Sequence, residues 1–188
     1  MDRVSGYVLA GGQSSRMGED KALLSFHGQT LIERAAEALA SIAGSVTIVG
    51  LRSDHSGRLA VIPDTYEGRG SIVGLYTALA DCKTELAAVL ACDLPFVESE
   101  LLTQLVAAIG DQDAAIPKQH DGHIQPLCSV YRAERCLPYV EKIITSDNWR
   151  LQQLGEMLDV SIVEPKGVRW STNVNTPDDL RRANEIIS

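Results

Sequence analysis

The run LAAVLA from Leu86, leading into Cys92, Asp93, Leu94, Pro95 and Phe96, is apolar at every position. A strand with one face in water alternates apolar and polar residues, whereas a strand packed on both faces is continuously apolar. The run is therefore expected to be a central strand covered by helices on both sides, ending at Asp93 and the ladder-breaking Pro95. Its surroundings extend the pattern. Residues 4–10 read as a first strand. After a glycine-rich loop, Thr30 and Glu33 have capping-box spacing, with Leu31, Ile32, Ala35, Ala36, Leu39 and Ile42 along one helical face. VTIVG from Val46 reads as a second strand and LAVIPD as a third just before Asp64, followed by the turn EGRGS and the helical segment IVGLYTALAD. Beyond the central run come a helix through ESELLTQLVAAI and a short strand at DAAIP. Strand and helix in alternation predict an α/β fold: a three-layer Rossmann-like sandwich with a mostly parallel sheet. In such sheets ligands gather beyond the C-terminal strand ends, which puts the loop after strand one and the Asp93 turn on the same edge.

The final third is less regular. HDGHIQPLCSVYR holds a further strand, AERCLPYVEKII and NWRLQQLGEML read as helical, and VSIVE as a short strand. Thr176 caps a helix that begins at Pro177, with Asp178 and Asp179 in its first turn. The 188 residues contain no internal repeat, low-complexity tract or interdomain linker, so a single domain over residues 1–188 is expected. With aromatics at 5%, its core must rest on Ala, Val, Leu and Ile. The net charge is -8 and the 17 basic residues form no cluster, which argues against a nucleic-acid-binding surface. There is no signal-peptide pattern and no apolar stretch of membrane-spanning length, so a cytoplasmic location without membrane attachment is expected. Cys82, Cys92, Cys128 and Cys136 lack CxxC spacing and read as buried thiols; His27, His55, His120 and His123 assemble no zinc pattern.

The stretch LAGGQSSRMGEDKALL, Leu9 to Leu24, carries the chemistry. It fails as a P-loop, because five residues separate Gly12 from Gly18 and Glu19 follows where lysine is required. It also fails as a dinucleotide fingerprint, having GG rather than GxGxxG and no helix until Thr30. The same physics nevertheless applies. Glycines allow backbone amides to approach phosphate oxygens, Arg16 offers a rigid fork of donors, and Lys21 a mobile positive charge. That equipment suits a triphosphate; the alternative is a glycine-rich surface turn with solvated charges.

LAGGQSSRMGEDK resembles the signature LAGGxSxRMGxDK of nucleotidyltransferases similar to molybdenum cofactor guanylyltransferase. IPD at Asp64, GRGSIVGLYTAL, CDLPF at Asp93, QPLCSVY from Gln125 and NVNTPDDL follow in the family's order over essentially the whole chain. The resemblance implies the nucleotide-diphospho-sugar transferase type of fold. It implies transfer of GMP from GTP to the terminal phosphate of molybdenum-molybdopterin, with release of pyrophosphate. It further implies that Leu9, Ala10 and Gly11 touch the nucleotide through their backbone, that Arg16 and Lys21 hold the triphosphate, and that Asp64 positions the nucleoside. Asp93 would coordinate Mg2+, while Asn173, Asn175 and Gln125 would face the pterin acceptor or the transferred phosphate. Transient contact with cofactor-supply proteins or molybdoenzymes is implied as well. Two positions depart from the pattern: Ser71 stands near the family's usual proline, and Gly50 where a polar residue is common, which bears on base recognition. A related transferase using CTP or another phosphorylated acceptor shares the same phosphate and metal contacts, and a noncatalytic nucleotide sensor would use the same pocket without turnover.

Overall fold

A computed structural model describes residues 3–11, 21–51, 59–66, 70–146 and 150–186. The strands are β1 (Val4–Leu9), β2 (Ser25–Phe26), β3 (Gln29–Thr30), β4 (Ser45–Val49), β5 (Ala60–Ile62), β6 (Leu86–Ala91), β7 (Ala114–Pro117), β8 (Cys128–Arg132) and β9 (Val160–Val163). The α-helices are α1 (Leu31–Ala40), α2 (Ser71–Asp81), α3 (Ser99–Ala108), α4 (Ala133–Thr145), α5 (Leu154–Met157) and α6 (Pro177–Ile186). Among the described residues no helix is long and apolar enough to cross a membrane.

Seven strands form one sheet in the order β5-β4-β1-β6-β8-β7-β9. Strands β5, β4, β1 and β6 run parallel, as do β7 and β9. The two-residue period of a strand sorts side chains between the layers. Val4 and Val8 of β1 and Leu86, Ala88 and Leu90 of β6 face one core, with Leu31, Ile32, Ala35 and Leu39 of α1 and Leu101, Leu102 and Leu105 of α3. Tyr7, Leu9, Ala87 and Val89 face the other, with Ile72, Leu75 and Leu79 of α2 and Val140, Ile143 and Ile144 of α4. All six residues of β6 are buried. The molecule is thus an α/β Rossmann-like sandwich with a largely parallel sheet.

Strand β8 departs from the parallel pattern, pairing antiparallel with both β6 and β7. The cause lies in residues 118–127, which contain no helix. A parallel crossover needs a dozen or more residues, commonly a helix, so the chain turns back at the same edge instead. The excursion closes on itself through an antiparallel bridge between Lys118 and Ile124 and a bond from Gln119 N to His123 O at 2.7 Å.

The capping box that starts α1 is formed: Glu33 N donates to Thr30 Oγ1 at 3.2 Å and Thr30 N donates to Glu33 Oε2 at 2.8 Å. Cys92, Cys128 and Cys136 are buried, Cys82 is half-buried, and burial pushes the Cys128 and Cys136 thiols up to about 12. They act as small apolar fillers.

At the opposite end of the sheet from the loops discussed below, Glu85 gathers two guanidinium groups. Arg3 donates at 2.5 Å through Nε and 3.0 Å through Nη2, and Arg132 donates through Nη1. The bonds from Arg3 and then Arg132 hold the Glu85 carboxyl down from 4.5 to about 2. A depressed folded-state value gives stability that is present above the unfolded pKa and lost as pH falls through the folded one. Urea titrations are expected to find the parent more stable than Glu85→Gln above about pH 5. That difference should shrink between pH 4.5 and about 2; a pH-independent difference would mean that Glu85 gains nothing from its charge.

Candidate active site

The C-terminal ends of β1, β4 and β5 meet over two glycines. Ala10 N and Gly11 N both donate to Val49 O, at 2.9 and 3.2 Å, and Gly50 N donates to Ile62 O at 3.0 Å. Gly50 has a φ of 76°, a left-handed conformation open to glycine. A Cβ on Gly11 would lie 2.6 Å from Asp64 Oδ2, and one on Gly50 would lie 2.7 Å from the same oxygen and 2.8 Å from the Gly11 Cα. The Asp64 carboxylate therefore rests on a floor that only glycines can form. The next residue is fastened from α2: Thr65 N donates to Thr77 Oγ1 at 3.0 Å, and Thr77 is buried. Val49 O engages the Ala10 and Gly11 N–H groups and Cys92 N engages the Leu9 carbonyl, which leaves the carbonyl oxygens of Ala10 and Gly11 for direct contacts from these three residues. These suit the N–H and O–H donors of a nucleoside; Gly12 and Gly18, the other glycines of the expected phosphate cradle, lie outside the described residues.

A second group assembles where β1 and β6 end, the point at which strand order reverses. Lys21 Nζ donates to Asp93 Oδ2 at 3.0 Å and to Asn175 Oδ1 at 2.7 Å. The side chains of Lys21 and Asp93 are 18% and 27% exposed, enough shelter to sharpen the attraction while leaving both open to a ligand. Several contacts fix this geometry. Lys21 opens a 3-10 turn, Lys21–Leu23, anchored by the fully buried Ala22. Its exit is the β2–β3 hairpin, whose two-residue turn has positive φ at His27 and Gly28, as a type I′ connection requires. Phe26 packs edge-on against Phe96 with centroids 5.5 Å apart, and Arg34 of α1 donates through Nε to Pro95 O. Cys92 N donates to Leu9 O at 3.1 Å, and Val174 N to Asp93 O at 2.9 Å. The Asp93 turn is thus held by α1, the hairpin, β1 and the C-terminal segment.

Asn173 and Asn175 flank Val174, which is fully buried, so both side chains face outward. Asn175 reaches Lys21; Asn173 is exposed. Asp179 Oδ2 accepts from Asn175 N at 3.0 Å and Thr176 N at 2.9 Å, and Thr176 Oγ1 accepts from Asp179 N at 3.1 Å. Bonds from Thr176 and Asn175 hold the Asp179 carboxyl below its ordinary value.

Gln125 lies at the same edge, where the chain enters β8. Its N donates to Pro117 O at 2.9 Å, and its O accepts from Cys128 N at 3.1 Å and from the buried Ser129 Oγ at 2.8 Å. Neighbouring carbonyls are also engaged: Ile124 O by Gln152, Pro126 O by the buried Tyr131 hydroxyl, Leu127 O by Ala91 N. The four carbonyls of residues 124–127 are thus engaged, and the Gln125 side-chain amide is the polar side chain that this segment can offer a ligand.

The expected site residues Leu9, Ala10, Gly11, Lys21, Asp64, Asp93, Gln125, Asn173 and Asn175 thus share one sheet edge. Arg16 lies outside the described residues, as does Gly68. Among the described residues no group of three or more His, Cys, Asp and Glu side chains gathers. The sequence reading omitted Arg34, Thr77, Ser129 and Tyr131 as supports. Arg34 and Thr77 act on backbone groups distant in sequence, while Ser129 and Tyr131 reach back to Gln125 O and Pro126 O, a contact that no side-chain periodicity announces. Asp179 was detectable, standing three residues after a threonine cap.

A doubly wound sheet with a lysine and a carboxylate paired at its switch point, beside a glycine floor, is the framework of a nucleotidyltransferase. A family model described as MobA-like NTP transferase domain matches residues 6–159, and the chain belongs to that family. A probable molybdenum cofactor guanylyltransferase from a Geobacillus species is 31% identical over 192 residues, covering 96% of this chain and 97% of its own. A molybdenum cofactor guanylyltransferase from Desulfosudis oleivorans is 32% identical, covering 100% and 97%. The crystal structure of molybdopterin-guanine dinucleotide biosynthesis protein A from Archaeoglobus fulgidus superposes with a TM-score of 0.78 at 29% identity, covering 97% and 98%.

Gly50→Ala is expected to cost about 1–3 kcal/mol, lowering Tm on the order of 2–4 °C for each kcal/mol. An unchanged Tm would mean that neither the left-handed backbone of Gly50 nor its close approach to Gly11 and Asp64 requires glycine.

Proposed function

We propose that this chain, as one nucleotidyltransferase domain over residues 1–188, transfers GMP from GTP to the terminal phosphate of molybdenum-molybdopterin and releases pyrophosphate. The observation that carries the reading is the meeting of Lys21, Asp93 and Asn175 at the switch point of the sheet. The choice of GTP and of the pterin acceptor draws support from the full-length likeness to guanylyltransferases.

In this reaction an oxygen of the acceptor phosphate forms a bond to the α phosphorus of GTP. The bridging bond to the β phosphate breaks, and pyrophosphate leaves with the electron pair. A phosphate monoester has its second pKa near ~6 and is already largely ionised, so no general base is required. The protein's work is to bring anions together and to offset charge on the equatorial and leaving oxygens. Lys21, with Arg16, holds the triphosphate; an ammonium has three donors, and Asp93 and Asn175 occupy two of them among the described residues. The carbonyls of Ala10 and Gly11, at the end of the strand that Leu9 closes, and the Asp64 carboxylate face the nucleoside. Gln125 and Asn173 line the acceptor side.

Mg2+ fits the donor set. The half-sheltered Asp93 carboxylate is a hard oxygen donor, 27% exposed, and Mg2+ commonly takes one carboxylate, with phosphate oxygens and water completing its shell. When bound, held by Asp93, it would polarise the reacting phosphoryl oxygens.

The test is pyrophosphate release with Mg2+, molybdenum-bearing molybdopterin, and GTP or CTP in separate reactions. Turnover with GTP and a guanylylated pterin is expected, abolished by a chelator of divalent cations. Asp93→Ala should lose about tenfold or more, since even ~1.4 kcal/mol of lost transition-state stabilisation gives tenfold. Turnover with CTP alone would overturn the base assignment, and nucleotide binding without turnover would overturn the transferase reading.

A further inference from the structure

We propose that Asp179 is a positioning residue for the transfer, acting through Asn175 on the Lys21 ammonium. This rests on the reading of Lys21 as a triphosphate ligand. A helix cap needs only the reciprocal pair between Thr176 and Asp179: Asp179 N to Thr176 Oγ1 at 3.1 Å, and Thr176 N to Asp179 Oδ2 at 2.9 Å. The same carboxylate oxygen also accepts from Asn175 N at 3.0 Å, one residue outside the helix. That bond adds nothing to α6. It fixes the backbone from which the Asn175 side chain projects.

Asn175 depends on this anchorage because it is exposed, with no packing to select its rotamer. Its backbone is restrained from both flanks: Val174 N on Asp93 O at 2.9 Å before it, Asp179 on its own N–H after it. The amide oxygen so placed takes Lys21 Nζ at 2.7 Å. A lysine head on a flexible four-carbon stem has no preferred direction of its own. Asn175 and Asp93 supply one, and Asp179 keeps Asn175 in register with Asp93.

The test is a mutant cycle on the full chain with Asp179→Ala, Asn175→Ala and the double variant, and Thr176→Ala as the helix-cap control. Each is read by thermal melting, by kcat/KM for GTP in pyrophosphate release, and by affinity for a fluorescent GTP analogue without acceptor. Asp179→Ala and Asn175→Ala are each expected to lose on the order of tenfold in kcat/KM, and the double variant no more than the worse single. Thr176→Ala weakens the cap but keeps the bond to Asn175, so it should stay within about twofold of the parent. Asp179→Asn, which retains an accepting oxygen, should restore most of the loss. The proposal is overturned if losses multiply in the double variant, if Thr176→Ala costs as much as Asp179→Ala, or if Asp179→Ala is unaffected. Should Asp179→Ala fail to fold, Asp179→Ser, too short to reach Asn175 N–H, replaces it in the cycle. Analogue affinity separates the two levels. If Lys21→Ala leaves it unchanged, the triphosphate role of Lys21 fails and this proposal with it. If Lys21→Ala weakens it and Asp179→Ala does not, this proposal alone fails.

Discussion

One ammonium group ties together the ends of the chain. Lys21 Nζ bonds Asp93 across 72 residues of sequence and Asn175 across 154, so the N-terminal loop, the central strand and the C-terminal helix converge on a single cation. Such a contact cannot form locally. Each closure carries an entropic cost that the hydrophobic layers must already have met before the polar groups can meet. The order of dependence runs from the sheet to the site: β6, buried along its whole length, sets where Asp93 emerges, and everything that touches Asp93 inherits that position.

The supports around the Asp93 turn divide by type. Phe26 against Phe96 and Arg34 on Pro95 O act on the loop from the side of α1, while Val174 acts from the C-terminal segment through its backbone. On the other half of the edge, Thr77 and the Gly11–Gly50 floor restrain Asp64. In the proposed reading the nucleotide side is built on β1, β4, β5 and α2, and the acceptor side on β8 and the approach to α6. Lys21 sits between them.

Much of this was readable from the sequence. The unbroken apolar run of β6, the Thr30 and Glu33 pair, and the sequence of strand and helix gave the layered architecture because they reflect local periodicity and local caps. The loop after β1 and the Asp93 turn could be placed on one edge because both follow strand ends, whereas Asp64, Gln125, Asn173 and Asn175 stood out only through the family resemblance. Other features were hidden because they depend on partners far along the chain. The direction of β8 is decided by the lack of a crossover helix between Pro117 and Cys128, and its sequence alone looks the same in either direction. The β2–β3 hairpin has two residues per strand, too few for alternation to register. The two asparagines of NVN both face outward around the buried Val174, and the bond of Asn175 to Lys21, formed across 154 residues, is what sets them apart. The engagement of the Ala10 and Gly11 N–H groups by Val49 O was hidden in the same way, since it depends on the pairing of β1 with β4.

The turned-back connection between β7 and β8 has an architectural meaning of its own. Its tip, from Gln119 to His123, stands clear of the layers, closed at its base by the Lys118–Ile124 bridge and followed by a segment whose carbonyls are all engaged. Lengthening or rebuilding a surface loop adds little closure entropy, and this one can change without disturbing the strands that carry Lys21's partners. On the proposed reading the fold thus carries a replaceable fingertip beside the acceptor side, where substitutions can retool what the protein grips while the phosphate-handling residues stay where the sheet puts them.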